Sequence, residues 1–394
     1  METYQIEPRS LQTLREQAQE KSDNGAGLEL AARLRNGEGL SDDELAALFL
    51  SSEVSTNELL AIAKELRSED SMSIETFCPL YITNECDAEC LMCGMQKHNK
   101  SLTRETAGEE TIKEQLEILA CRGIRGVALL TGEYRHGPMR SKMLSRTNQA
   151  IRDAVERGFE HVLINVGSIE ESEYAGLLSG VPKSTGKPGS PRITMCTFQE
   201  TYDPTVYRKF MGSTPENPRS DFDRRLRNFN RAAQAGLDSA NPGVLVGLNP
   251  DVASEMLALL DHCHHIASLD MTTYVSLPRL RKANGAEHRA GIGDDDFCRL
   301  VALLSAGLPE ALLVISTRES PEIQQKLLPV IGVLTAGSPG VAPYTRKDAR
   351  FEIEASQFEV ADLRPFEEIL GECIQAGARI QGYDPAPSPD ATSR

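Results

Sequence analysis

The sequence predicts an α/β fold: a (β/α)8 barrel of the TIM type with an N-terminal helical extension. Three observations carry this. From residue 74 onward, short β-rich apolar runs alternate with longer amphipathic stretches. Those runs and stretches make close to eight strand–helix pairs. The runs also end in polar residues, and in a parallel barrel all such ends meet at one mouth. A doubly wound open sheet is the alternative for the same alternation.

The elements follow in order. Residues 1–73 read as helical. Leu40-Ser41-Asp42-Asp43-Glu44-Leu45 is a cap and first turn, and Leu48 and Phe49 continue its apolar face. Ser55-Thr56-Asn57-Glu58 opens a second helix through Leu59, Leu60, Ile62 and Leu66. Residues 74–383 form the predicted barrel. Its strands are read at Phe77–Thr83, Gly126–Leu130, His161–Val166, Arg192–Phe198, Gly243–Leu248, Met271–Leu277, Leu312–Thr317 and Val330–Leu334. Its helices include Glu109–Cys121, Lys142–Glu156, Asp221–Ala235, Val252–His264, Asp294–Ala306 and Val360–Gln375. The Pro- and Ser-rich tail, residues 384–394, is expected to be disordered.

Composition narrows the function. A chain of 394 residues with 40% hydrophobic content can bury a sizeable core. A net charge of −16 argues against nucleic acid and anionic membranes, which call for clustered Lys and Arg. The polar start, residues 1–19, and the lack of a long apolar run point to a cytoplasmic protein with no membrane partner. Nine cysteines in that compartment are expected to be mostly thiols.

Three of them cluster. Cys86, Cys90 and Cys93 have the spacing C-x3-C-x2-C just after the first apolar run. Three thiolates in one loop can ligate three irons of a cubane and leave the fourth iron open to a chelating methionine moiety. Two other readings stay open on spacing alone. His98 could complete a C-x3-C-x2-C-x4-H zinc site, or the thiols could be unrelated core residues. His262, His264 and His265 share one helix and read as packing or surface groups.

Taken with the polar strand ends, the cysteine loop resembles the radical S-adenosylmethionine superfamily. More narrowly, the sequence resembles the tryptophan lyases (3-methyl-2-indolic acid synthases) of thiopeptide biosynthesis, relatives of the tyrosine lyase of thiamine synthesis and of the hydrogenase-maturation radical enzymes. The resemblance runs from about Phe77 to Leu363. It is carried by Pro79-Leu80-Tyr81, Cys86–Cys93, Leu130-Thr131-Gly132-Glu133-Tyr134, Phe198-Gln199-Glu200-Thr201-Tyr202-Asp203, Arg208-Lys209-Phe210-Met211-Gly212, Asn241-Pro242-Gly243-Val244, Thr317-Arg318-Glu319 and Gly337-Ser338-Pro339. Met92 replaces the aromatic residue that the wider superfamily places before the third cysteine, and this favours the tryptophan branch.

The resemblance implies a [4Fe-4S] cluster on Cys86, Cys90 and Cys93, with S-adenosyl-L-methionine on its open iron. Thr131, Gly132, Glu133, Glu200 and Arg225 would hold that cofactor. Arg318 would take the substrate carboxylate, Ser338 would lie near the amine, and Tyr81 would flank the aromatic ring. A donor such as flavodoxin or ferredoxin would supply the electron. The implied reaction converts L-tryptophan to 3-methyl-2-indolic acid: an adenosyl radical takes hydrogen from the amine, a Cα bond breaks, and the carboxyl fragment migrates to the indole. The alternative is a Cα–Cβ lyase acting on tyrosine or another aromatic amino acid. A reading of a different class is a metal-bearing scaffold without turnover. No second cysteine motif accompanies Cys373 near the C terminus, which argues against the relatives that need extra iron.

Overall fold

The computed structural model describes residues 3–67, 72–184, 190–287 and 291–385. Most of the tail expected to be disordered lies outside the described residues. The chain opens with four helices, α1 (Pro8–Asp23), α2 (Gly27–Arg35), α3 (Asp42–Leu50) and α4 (Thr56–Leu66). There follow β1 (Ser73–Glu75), β2 (Cys78–Tyr81), α5 (Glu109–Cys121), β3 (Gly126–Leu130), α6 (Pro138–Glu156), β4 (His161–Asn165), α7 (Glu171–Leu177) and β5 (Arg192–Cys196). Next come α8 (Pro204–Met211), α9 (Phe222–Leu226), α10 (Asn228–Gln234), β6 (Ser239–Asn241), α11 (Val252–Ser268), β7 (Thr272–Ser276) and α12 (Asp294–Gly307). The last elements are β8 (Leu312–Ser316), α13 (Pro321–Leu327), β9 (Val333–Thr335), α14 (Phe366–Gln375) and β10 (Arg379–Gln381).

The strands form one sheet in the order β10-β1-β9-β8-β7-β6-β5-β4-β3-β2, and every registered pair is parallel. β1 pairs with β9 while β2, two residues further on, pairs with β3. The short run Ser73–Tyr81 therefore reaches both ends of the sheet, and Tyr81 also bridges to Val341. Alternation along each strand explains the curvature. Val127 and Leu129 of β3, Val162 and Ile164 of β4, and Leu313 and Ile315 of β8 pack outward against helices. The intervening Ala128, Leu163 and Val314 meet Phe77, Tyr274 and Val333 in a separate inner cluster. Strands at opposite ends of the order thus touch across an interior. The architecture is a parallel α/β sheet of the TIM type.

Polar groups close that interior at the amino ends of the strands. Buried His161 bonds the Glu75 carboxylate through Nδ1 and the Thr194 hydroxyl through Nε2 at 2.7 Å. Thr194 bonds Ser239 at 2.8 Å, and the Tyr274 hydroxyl donates to Glu75 at 2.9 Å. The polar carboxyl-terminal ends of the strands lie opposite.

The N-terminal helices are fastened to helices α11 and α12 that pack on the sheet. α1 and α3 contact α11, and α3 and α4 contact α12. Arg299 of α12 is buried and donates to the carbonyls of Phe49 (2.8 Å), Val54 (2.6 Å), Ser51 (2.6 Å) and Leu48. Carbonyls at the end of α3 that lack a helical partner are satisfied in this way. Ser41 and Glu44 form the capping box at the start of α3, and Ser55 caps α4.

Four expected elements differ. The last helix, expected from Val360, begins at Phe366. Gly243–Leu248 is not a strand; it makes isolated bridges, and the strand at that place is the polar Ser239–Asn241. The helix expected over Asp221–Ala235 is two short helices meeting at Arg227. The eighth strand starts at Val333, after a 3-10 turn over Leu328–Val330.

Candidate active site

The loop after β2 carries the cysteines, and backbone bonds hold it in place. Asp87 N donates to Glu133 O (2.9 Å), Leu91 N to Phe210 O (2.8 Å) and Gly94 N to Gln357 O (3.1 Å). Gly132 is needed here, because a Cβ at that position would sit 2.0 Å from Glu85 O and 2.7 Å from Cys86 Cβ. The absence of a side chain lets the end of β3 touch the cysteine loop.

Cys86, Cys90 and Cys93 line one cavity of about 210 Å³ at the carboxyl-terminal ends of the strands. Each sulfur has donors aimed at it. Glu133 N (3.3 Å) and Ala88 N (3.4 Å) point at Cys86, Arg219 Nη1 (3.4 Å) at Cys90, and Gln357 Nε2 (3.4 Å) at Cys93. Burial raises all three thiol pKa values, that of Cys90 to about 12, so the thiolate form calls for a metal's positive charge. Among the described residues, no three His, Cys, Asp or Glu side chains stand close enough to hold one metal ion. His98 is exposed and turns to Glu89 at 4.0 Å, outside the cavity wall. The single-zinc reading therefore lacks its fourth ligand. Three spread thiols with N–H donors fit a cubane, in which each takes a different iron.

Thr131, Gly132 and Glu133 line the same cavity, as do Glu200 and Arg225. Burial alone would raise the Glu133 pKa, but Arg225 and Arg219 hold its carboxyl below the usual range. Arg225 Nη1 reaches both Glu133 oxygens (2.7 and 3.0 Å), and its Nε donates to Phe198 O at 2.6 Å. These bonds occupy much of the guanidinium expected to fork onto a cofactor carboxylate. Glu200 sits at φ 70°, a left-handed backbone that costs a non-glycine residue about 1–2 kcal/mol. This kink lies at the strand's end, where its carboxylate pairs with Arg219 Nη2 at 2.8 Å.

Arg219 was not among the expected residues. It is buried and joins Glu133 (3.3 Å), Glu200 and the Cys90 sulfur. Its signal in the sequence is only an arginine in a loop, Asn217-Pro218-Arg219-Ser220, and its sulfur partner lies 129 residues away.

Across the cavity stands Arg318. Nη1 donates to Arg279 O at 3.2 Å, and the guanidinium lies 3.4 Å from the centroid of the Phe358 ring. Its neighbour Glu319 is taken by Arg279 and by Arg281 at 3.1 Å. Burial without a close carboxylate lowers the Arg318 pKa to about 10. Tyr81 lines the cavity too, its hydroxyl donating to Gln357 Oε1 at 2.7 Å. Ser338 does not line the cavity, although Gly337 and Pro339 do; its hydroxyl donates to Arg350 O at 2.9 Å. His262 is buried beneath Tyr4 and bonds the Tyr202 hydroxyl at 2.7 Å, a packing role.

This parallel α/β fold, with a three-cysteine loop after its first strands, is the arrangement that the resemblance to radical S-adenosylmethionine enzymes implies for this chain. Its cofactors are a [4Fe-4S] cluster and S-adenosyl-L-methionine. The chain is similar to the 2-iminoacetate synthases of Escherichia coli (26% identity over 373 residues, 92% of this chain and 90% of the relative) and Salmonella typhimurium (26% over 372 residues, the same coverage). Among solved structures it is similar to the FeFe-hydrogenase maturase HydG of Carboxydothermus hydrogenoformans (TM-score 0.81, 25% identity, 95% of this chain and 83% of that one). It also shares its fold with methylornithine synthase (TM-score 0.69, 20% identity, 89% of this chain and 97% of that one). No family model matches the chain. Among the described residues no helix is long and apolar enough to cross a membrane.

Proposed function

We propose that the chain is a radical carbon–carbon lyase that cleaves an aromatic L-amino acid between Cα and Cβ, with tyrosine as the first candidate. Arg318 carries this reading. A half-buried guanidinium facing a cavity without a close carboxylate is a receptor for a planar anion, and an amino-acid carboxylate fits its fork. The 2-iminoacetate synthases, similar over most of their length, support the Cα–Cβ mode. The reading also takes the sheet as a closed eightfold barrel, which the shared run Ser73–Tyr81 and the Tyr81–Val341 bridge support.

Bound together, the cluster and S-adenosylmethionine would supply one-electron, hydrogen-abstracting chemistry at this site. The protein's part is placement. Cys86, Cys90 and Cys93 hold the cluster, and Glu133 and Glu200, fixed by Arg225 and Arg219, offer carboxylates to the cofactor's ammonium and hydroxyl groups. Arg318 holds the substrate carboxylate while Tyr81 flanks the ring, so Cα stays in one position relative to the radical source. The inner wall of Phe77, Ala128, Leu163 and Val314 would keep water from the reacting atoms.

A second reading is conversion of L-tryptophan to 3-methyl-2-indolic acid. Met92 favours it: this residue lines the cavity beside Leu245 and Phe210, where the tryptophan branch carries an unbranched sulfur side chain. Anaerobic incubation with S-adenosylmethionine, dithionite and either amino acid separates the two. Tyrosine cleaved at Cα–Cβ gives 4-methylphenol and 2-iminoacetate; the hydrogen atom it loses leaves in 5′-deoxyadenosine, and an electron from dithionite with a solvent proton replaces it in 4-methylphenol. Formation of 3-methyl-2-indolic acid from tryptophan, with tyrosine inert, would overturn the first reading.

A further inference from the structure

Residues 356–358 cross from the cysteine loop to the substrate side of the cavity. Ser356 is fully buried, and the Gln357 carbonyl accepts from Gly94 N, one residue past Cys93. The Gln357 side chain then bridges the two halves of the site. Its Nε2 donates to Cys93 Sγ at 3.4 Å, and its Oε1 accepts from the Tyr81 hydroxyl at 2.7 Å. A ligating thiolate only accepts, so the amide must turn its N–H to sulfur and its oxygen to the phenol. The next residue, Phe358, stacks under Arg318. One short strap thus touches a cluster ligand, the ring-flanking tyrosine and the carboxylate anchor.

We propose that Gln357 is a positioning residue that couples occupancy of the substrate site to the reduction potential of the cluster. The proposal rests on the reading that an aromatic amino acid binds between Tyr81 and Arg318. An N–H bond to a ligand sulfur withdraws charge from it and raises the cluster's potential. Cys86 takes N–H donors from the backbone of Glu133 and Ala88, and the Cys90 donor, Arg219, faces the Glu133 and Glu200 carboxylates. Gln357 is the donor tied to the substrate side. A substrate that packs on Tyr81 and draws in Arg318 presses the strap toward the cysteine loop, shortens the Gln357–Cys93 bond and eases reduction. An empty site leaves the cluster harder to reduce, which spares S-adenosylmethionine from wasteful cleavage.

The test is a potentiometric titration of the reconstituted enzyme, followed by electron paramagnetic resonance, with and without L-tyrosine or L-tryptophan at matched iron content. In the wild type the bound amino acid should favour reduction about tenfold, which is about 59 mV for one electron. Gln357→Met should start lower by a similar factor and lose the response. If Gln357→Met fails to hold a full cluster, Gln357→Glu removes the N–H donor while retaining an oxygen for Tyr81. A fully loaded Gln357 variant with the wild-type potential and response overturns the proposal. Equilibrium dialysis of the amino acids runs alongside. An amino acid that binds the wild type without moving its potential refutes the coupling. If neither amino acid binds, the substrate reading fails, and the unliganded potential of Gln357→Met still decides whether Gln357 tunes Cys93.

Discussion

Arg318→Lys is the substitution whose outcome is best constrained by the structure. Burial brings the Arg318 pKa down to about 10, a penalty on the order of 3 kcal/mol at 1.36 kcal/mol per pH unit. An incoming carboxylate relieves that penalty and adds charge-assisted hydrogen bonds of about 1.5–3 kcal/mol each. Lysine keeps the charge, but it loses the planar fork and the stack on Phe358. The amino acid should still bind, about ten- to a hundredfold more weakly, for the loss of one such bond. Held by a point charge, it should also be placed loosely before the radical. The assay is mass spectrometry of 5′-deoxyadenosine and of all amino-acid products at equal cluster content. The ratio of 5′-deoxyadenosine to cleavage product should rise, and the products should shift among Cα bonds. A structural role for Arg318 would lower every product together through loss of folded enzyme. An unchanged ratio in a well-folded, fully loaded protein would refute the carboxylate assignment.

Cys90→Ala should lose the cluster and 5′-deoxyadenosine formation, whereas Cys298→Ala, remote from the cavity, should retain both; iron content and product analysis check this. Arg225→Ala frees Glu133 from its closest cation, so S-adenosylmethionine binding should weaken by about 1.5–3 kcal/mol at unchanged iron content, read by equilibrium titration. Glu75 titrates below the usual carboxylate range: burial raises its pKa, but His161, Tyr274 and Arg192 more than offset this. Its stabilising effect is therefore present above the unfolded carboxylate pKa of about 4.3 and is lost as pH falls through the lower folded value. Glu75→Gln should flatten the acid limb of a plot of Tm against pH, and an unaltered limb would count against that role.

The strand ends and the cysteine loop were legible in the sequence because each depends on local pattern. β3, β4 and β8 alternate between an outer helix-facing surface and the inner cluster, and their apolar runs mark them correctly. β6 escaped because its residues face polar partners. Ser239 meets Thr194, and Asn241 bonds Tyr274 O and Ser276, so the strand carries no apolar signal while the apolar stretch after it is loop. Asp221–Ala235 reads as one helix because nothing in its composition marks a stop, whereas the structure breaks it at Arg227. Arg219 and Gln357 were not legible at all. Their sulfur partners lie 129 and 264 residues away, and no periodicity in a single chain links such distant positions. Ser338 illustrates the opposite case: its neighbours face the cavity, but its own hydroxyl is committed to Arg350 O.

The polar cluster of Glu75, His161, Thr194, Ser239 and Tyr274 bears on molecular traffic. It corks the amino ends of the strands with groups already bonded to one another. Everything the enzyme consumes or releases must then share the opposite doorway, beside the cysteine loop. On the proposed reading two bulky molecules, cofactor and substrate, share that mouth. The one that lies deeper must enter first and leave last, so binding should be ordered, and product inhibition patterns should reveal the queue.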